Sequence, residues 1–256
     1  MIPKVIHYCW FGGNPLPELA QRCIDSWRKY LPDYEIKEWN ESNFNVNIIP
    51  YTAEAYQQGK YAFVSDYARF WILYRYGGIY FDTDVEVIRP LDDVLDRGGF
   101  MGFETDYKES LNPHEVATNP GLGLGVAPGL GLGVAPGLSL IKKMMDYYDG
   151  KHFVNEQNMR NQITIVAIAT KVLMENGLRL VPGIQEIDGV YIYPSEYFCP
   201  INVTTGKLHI TDNTRCIHHY AASWVNSRFS LKSKLKKLLP EWLILRISDI
   251  KNRVRR

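Results

Sequence analysis

The run from Tyr61 to Val87 limits the possible folds of this chain more than any other segment. Val64, Ala68, Trp71, Ile72 and Arg75 recur at three- and four-residue spacing, which predicts a helix over 61–76. Gly77 and Gly78 are its stop signal, and Ile79 to Phe81 is a short β-forming run. The run ends in Asp82-Thr83-Asp84. On a strand, side chains two apart share a face, so both carboxylates can approach one hard divalent cation while Thr83 points away. A D-x-D triplet alone is weak evidence, since acidic pairs at that spacing also occur on solvated edges. Helix, glycine turn, strand and acidic pair in immediate succession make it a candidate site. Inside the helix, Asp66 and Arg69 stand three apart on one face, either as an intrahelical ion pair or as polar groups kept among aromatics for a ligand.

The N-terminal segment supplies a frame for such a site. Val5 to Cys9 predicts a buried strand, followed by a Trp10-Phe11-Gly12-Gly13 loop in which glycine lets a ligand approach the backbone. Pro17 starts a helix carrying Leu19, Cys23, Trp27 and Leu31, and Tyr34 to Trp39 predicts a second strand. A βαβ opening implies a parallel sheet that binds nucleotides beyond the carboxyl ends of its strands. Trp10 then either stacks on a base or belongs to the core. Near the other end, His218 and His219 face opposite ways on a strand, so at most one can join the aspartates on a metal; a structural histidine pair is the alternative.

Three blocks carry a family resemblance: I-P-K-V-I-H-Y-C-W-F-G-G at 2–13, S-D-Y-A-R-F-W-I-L-Y-R-Y-G-G-I-Y-F-D-T-D at 65–84, and I-H-H-Y-A-A-S-W at 217–224. In this order they resemble the D-x-D sugar transferases of glycosyltransferase family 32, which include capsular polysaccharide enzymes, and more distantly the clostridial glucosylating toxins. They span most of the chain to about residue 225, with a looser match between 90 and 215. The resemblance implies an α/β chain of the GT-A nucleotide-sugar transferase type, a Rossmann-like mixed sheet flanked by helices. It implies metal-dependent, retaining transfer of a hexose from a UDP- or GDP-sugar to a saccharide or lipid-linked acceptor, in capsule or surface polysaccharide synthesis. Asp66 and Arg69 would hold the donor sugar, and Trp10, Tyr80, Asp82 and Trp224 would surround the nucleotide. Mn²⁺ or Mg²⁺ would sit on Asp84 and His218, with Asp82 contributing through water or turning to the ribose. Ser223 and Trp224 would form a loop over the donor. No residue stands out as a covalent nucleophile, and a front-side displacement needs none.

Charge divides the chain. Residues 228–256 hold 10 Lys or Arg against 2 acidic residues, net +8, whereas residues 1–227 are net −7. This predicts a catalytic domain over 1–227 and a basic amphipathic helical tail over 228–256, with Leu231, Leu235, Leu238, Trp242, Leu245 and Ile250 at helical intervals and Pro240 as a break. The tail is expected to rest on an anionic membrane surface, or else to dock on the domain. Nucleic acid is not an expected partner, because the body is acidic and shows no basic face interleaved with aromatics. The four cysteines have neither C-x-x-C spacing nor disulfide-scaffold density, no secretory h-region develops, and no apolar run approaches membrane-spanning length. A cytoplasmic protein, peripheral at the inner face of the cell membrane, is the expectation.

Gly121 to Pro128 reads G-L-G-L-G-V-A-P, and Gly129 to Pro136 repeats it letter for letter. Two octads are too few for a solenoid, and the second copy is expected to form a flexible loop. Helices are expected over 140–148 and 161–176, and the aromatics of 190–200 are candidates for an acceptor cleft. Two other functions compete. A haloacid dehalogenase-like phosphatase also ends an apolar strand in D-x-D, as in F-D-T-D-V, but usually on its first strand. A carbohydrate- or membrane-binding module without catalysis is the other.

Overall fold

The computed structural model describes residues 1–106, 125–154, 164–202 and 205–221. The βαβ opening forms as its spacing predicts: β1 (Val5–Cys9) and β2 (Glu35–Trp39) pair in parallel across α1 (Glu18–Tyr30). After α2 (Pro50–Gln57), α3 (Tyr61–Tyr76) runs straight into β3 (Gly78–Tyr80), which pairs in parallel with the other edge of β1. Gly77 (φ +64°) and Gly78 (φ +99°) make this reversal, and a Cβ on Gly78 would stand 2.6 Å from the Val5 carbonyl oxygen. There follow β4 (Val85–Val87), α4 (Asp92–Leu95), β5 (Gly99–Thr105), β6 (Gly125–Val126), β7 (Leu132–Val134), α5 (Ser139–Asp146) and α6 (Ile165–Glu175). The antiparallel pair β8 (Gln185–Ile187) and β9 (Val190–Tyr193), α7 (Ser195–Phe198) and β10 (Cys216–His218) complete the described elements.

The main sheet runs β2-β1-β3-β7-β5-β9-β8, with β6 attached to β5. β7 is antiparallel to both β3 and β5, so β1, β3 and β5 all point the same way and end on one edge of the sheet. Neighbouring residues of these strands enter different hydrophobic clusters. Ile6, Ile79 and Phe100 join one, while Cys9, Tyr80 and Met101 join the other, as strand alternation requires of a sheet covered on both faces. A second, two-stranded sheet pairs β4 with β10. Helix α1 fixes it: the Trp27 indole donates to the Val85 carbonyl at 2.7 Å, and the Val87 N–H donates to Ser26 Oγ at 2.9 Å. The expected α/β architecture, a mixed sheet flanked by helices, is present. Residues 228–256 lie outside the described residues, so the tail expectation does too. Among the described residues no helix is long and apolar enough to cross a membrane, and the four cysteines are buried and free.

Two expectations need correction. The second octad is not a flexible loop: Leu130, Leu132 and Val134 are fully buried, and β7 is an inner strand of the main sheet. Each octad contributes its Gly-Val to a strand, β6 from the first copy and β7 from the second, and both strands pair with β5. Glycine is what lets β7 fit, because a Cβ on Gly133 would lie 2.2 Å from the Phe100 ring. Of the aromatics of 190–200, Tyr193 and Phe198 are not cleft residues, since they are buried in the core around β9 and α7, with Tyr191 and Tyr197 half-buried against it. The helix expected over 161–176 is described from its Thr164 cap, whose hydroxyl accepts from the Ala167 N–H at 3.3 Å.

Candidate active site

The parallel strands β1, β3 and β5 end at one cavity of about 680 Å³, within the size range of small-molecule sites. Trp10 follows β1, Asp82 follows β3 and Glu104 lies near the end of β5, and all three line it. Asp66 and Arg69 reach the same space from α3, His218 reaches it from the end of β10 and Tyr220 from just beyond that strand.

The two aspartates of the D-x-D triplet are not on a strand. Val85 N–H donates to the Asp82 carbonyl at 3.1 Å, which closes a turn between β3 and β4. Alternation therefore does not bring the carboxylates together, and they have separate partners. Asp82 belongs to a network with the helix: Arg69 NH1 lies 3.2 and 3.4 Å from its two oxygens, while Arg69 NH2 lies 3.0 Å from Asp66 Oδ1. The Tyr80 hydroxyl donates to Asp82 Oδ1 at 3.3 Å, and the guanidinium lies 4.7 Å from the centre of the Tyr80 ring. So Asp66 and Arg69 do form an intrahelical ion pair, but one that also opens into the cavity. Burial pushes the Asp66 carboxyl up to about 7; Arg69 draws it down and the Asp82 charge adds to the rise.

Asp84 sits in a different clamp. Its Oδ1 is 3.1 Å from His218 Nε2, its Oδ2 accepts from the Ala221 N–H at 2.8 Å, and its carbonyl accepts from the His219 N–H at 3.0 Å. Burial opposes its ionisation, yet His218 and the Ala221 N–H outweigh burial and hold its carboxyl at about 2. His219 points the other way, 2.7 Å from Glu86, as adjacent strand residues must. His218 is thus the histidine that faces the cavity. Its Nδ1 is buried, with no hydrogen-bond partner of ordinary geometry among the described residues.

Trp10 lines the cavity with its indole N–H turned into its own loop, donating to Asn14 O at 2.6 Å. Trp224 and Ser223 lie outside the described residues. Among the described residues no group of three or more His, Cys, Asp or Glu side chains converges to hold a metal ion. The available donors are the Asp84 carboxylate and the His218 imidazole, with Asp82 across the cavity on the Arg69 side. Oxygen and imidazole donors suit Mn²⁺ well and Mg²⁺ less so.

Three cavity residues escaped the sequence reasoning. Gly129 forms the turn between β6 and β7, and its carbonyl accepts from the Asp82 N–H at 3.0 Å. A Cβ there would lie 1.8 Å from Asp82 Oδ2 and 2.9 Å from Arg69 NH1. Glu104 is raised above the usual carboxyl range by burial, against the pull of His218 and a hydrogen bond from Tyr220. Tyr220 has left-handed backbone (φ +51°), its ring centre is 4.3 Å from that of His218, and its hydroxyl is 2.9 Å from Cys199 Sγ. Only Tyr220 left a trace in the sequence, as the neighbour of the histidine pair.

Residues 17–101 match the family described as glycosyltransferase sugar-binding region containing DXD motif. Inositol phosphoceramide mannosyltransferase 3 of Schizosaccharomyces pombe is 39% identical over 102 residues, covering 37% of this chain and 27% of the relative. Inositol phosphoceramide mannosyltransferase 1 of the same yeast is 32% identical over 131 residues, covering 44% and 40%. Mannosyl phosphorylinositol ceramide synthase CSH1 of Saccharomyces cerevisiae is 32% identical over 109 residues, covering 40% and 28%. The aligned part of the chain spans less than half the length of each of these relatives. Among solved structures, the PaToxG glycosyltransferase matches with a TM-score of 0.45 and 18% identity, covering 68% of this chain and 69% of its own. The galactosyltransferase LgtC, in complex with donor and acceptor sugar analogs, matches with a TM-score of 0.45 and 17% identity, covering 93% and 98%.

Proposed function

We propose that this chain, which carries a DXD sugar-binding region over residues 17–101, is a metal-dependent retaining glycosyltransferase. It moves a hexose from a nucleotide-diphosphate sugar to a saccharide or glycolipid acceptor. One observation carries this: buried Asp66 and Arg69 form one network with half-buried Asp82, half-buried Asp84 and His218 form another, and both open into the cavity where β1, β3 and β5 end. A phosphatase of the D-x-D type has no use for an Arg69 guanidinium that already neutralises the first aspartate, and a non-catalytic module has no use for so much buried charge.

The donor would lie along the strand ends, its base near Trp10 and Tyr61 and its sugar against Asp66 and Arg69. Carboxylate and guanidinium both hydrogen-bond sugar hydroxyls, and holding those hydroxyls fixes the anomeric carbon for attack. Asp84 and His218 would hold Mn²⁺ or Mg²⁺, with Asp82 reaching it through water or turning to the ribose. When bound, the cation supplies Lewis-acid stabilisation of the charge that develops on the departing diphosphate. The relatives are named inositol phosphoceramide mannosyltransferases, which makes a mannosyl donor and a glycolipid acceptor the first pair to try. A role in capsule or surface polysaccharide synthesis at the inner face of the cell membrane, reached through the basic segment 228–256, belongs to the same proposal. Equal pelleting with anionic vesicles of the full chain and a chain ending at Ser227 would remove the membrane part of it.

The primary test is release of nucleoside diphosphate from a panel of UDP- and GDP-sugars with Mn²⁺, for wild type and Asp84→Ala. Turnover of one donor that is lost with chelator and in the variant is expected. Phosphatase activity without donor turnover would overturn the proposal.

A further inference from the structure

The order of the strands gives the cavity a direction. β1, β3 and β5 end on one edge in that lateral order, with β7 between the last two. They deliver Trp10, then Asp82, then Glu104. If the base lies at β1 and the diphosphate-sugar at β3, whatever β5 delivers stands beyond the sugar. That is the side from which an acceptor must come.

Glu104 is unlike the other carboxylates of the cavity. Asp66 and Asp82 share Arg69, and Asp84 has His218. Glu104 forms no ion pair among the described residues; its partner is the Tyr220 hydroxyl. A carboxylate can accept several hydrogen bonds, so this one keeps acceptor capacity for groups arriving in the cavity. Tyr220 is held in place on its own account, by the Cys199 thiol at 2.9 Å and by ring contact with His218 at 4.3 Å. Ile165 and Val166, both half-buried, line the cavity as well and offer apolar surface, which suits the C–H face of a ring.

We propose that Glu104, braced by Tyr220, is the acceptor-binding residue of this site, and that it holds a polyhydroxylated ring, a hexose or a cyclitol, by hydrogen bonds from its hydroxyls. The inference rests on the transferase reading above and adds the acceptor's place and chemical class. In the transfer the bond from the anomeric carbon to the diphosphate oxygen breaks, and the bond to the acceptor oxygen forms. The acceptor's hydroxyl proton leaves on the diphosphate. Glu104 orients the hydroxyl and takes no permanent proton.

The test uses the full chain with Mn²⁺ and saturating nucleoside diphosphate, and two ring probes, methyl α-mannopyranoside and myo-inositol, followed by saturation-transfer NMR. Nucleotide binding is measured first by calorimetry; its absence in wild type would sink the transferase reading itself, and this inference with it. With nucleotide bound, at least one probe should bind wild type, and Glu104→Gln should weaken it about tenfold or more, the loss of one charge-assisted hydrogen bond. Nucleotide affinity of the variant should stay within about twofold, which is well under the effect of losing a direct contact and shows the fold and donor site intact. Glu104→Asp should retain part of the probe binding. Failure of both probes to bind wild type, or unchanged probe binding in Glu104→Gln, would overturn the assignment while leaving the donor site standing.

Discussion

The Asp82 N–H donates to the Gly129 carbonyl at 3.0 Å, so the turn between two identical octads is what seats the first aspartate of the D-x-D triplet. No side chain fits at 129, because its Cβ would lie 1.8 Å from Asp82 Oδ2. Gly129→Ala should lower kcat/KM for the donor by about two orders of magnitude, the scale of a reacting group displaced by about an ångström. Combined with Asp82→Ala, the second change should cost far less than it does alone, since the collision is then gone. Steady-state kinetics of the two single variants and the double variant measure this; simple additivity would mean that Gly129 acts elsewhere.

Arg69 should not be replaceable by lysine. Its guanidinium reaches Asp66 with one nitrogen, Asp82 with a second and the Ser65 carbonyl with its Nε, at 3.0, 3.2 and 3.2 Å. An ammonium group is a single point of charge and cannot span all three. Arg69→Lys is expected to fold, to lose about 1–3 kcal/mol of stability from the unsatisfied buried carboxylate, and to bind nucleotide-sugar much more weakly than free nucleotide. Calorimetry with both ligands checks it.

His7 predicts a pH dependence of stability that has nothing to do with catalysis. It is buried, Nε2–H donating to the Gly77 carbonyl at 3.0 Å and Nδ1 accepting from the Trp39 indole at 3.1 Å. This arrangement uses the neutral ring. Burial lowers its pKa from 6.5 to about 4, with Lys37 adding to the fall and the Gly77 bond opposing it. The unfolded chain therefore takes up the proton first, so stability should fall as pH drops from about 6.5 to about 4, by up to about 3 kcal/mol. Urea midpoints across that window should fall less steeply for His7→Gln than for wild type.

Removing one octad yields the same polypeptide whichever copy is deleted. The remaining copy then runs directly into Gly137, so it should occupy β7, with Asn119 and Pro120 taking the places of Ala127 and Pro128. What is lost is β6, with the fully buried Val126 and its 2.9 Å hydrogen bond to Thr170 Oγ1. A destabilisation of about 2–4 kcal/mol is expected, with donor turnover retained. Thermal unfolding together with the nucleotide-release assay separates this outcome from collapse of the main sheet.

The βαβ opening and α3 could be read from the sequence because their apolar residues repeat at a single period and glycines mark where α3 ends. The D-x-D turn could not. An apolar triplet followed by Asp-Thr-Asp is equally compatible with a continuing strand, and only the Val85-to-Asp82 bond decides. Strand β7 was hidden because alternating glycine resembles a loop, and its pairing depends on Phe100, a ring far away in sequence that lies where the Gly133 side chain would be. Glu104 gave no signal at all: a lone acidic residue near a strand end acquires meaning only from which strands lie beside it. Which of His218 and His219 faces the cavity likewise needed Asp84 and Glu86 in place to become visible.

The clamp on Asp84 joins residues 134 and 137 positions apart in the sequence, His218 and Ala221 closing on a turn made near the first third of the chain. A ribosome therefore releases the half of this molecule that carries Asp84 long before the half that completes its clamp. Until residue 221 has emerged, a nascent or prematurely terminated chain holds Asp84 without its counterion. Under the proposed transferase reading such fragments should be unable to waste activated sugar by hydrolysis, and synthesis itself would act as the safety catch on that activity.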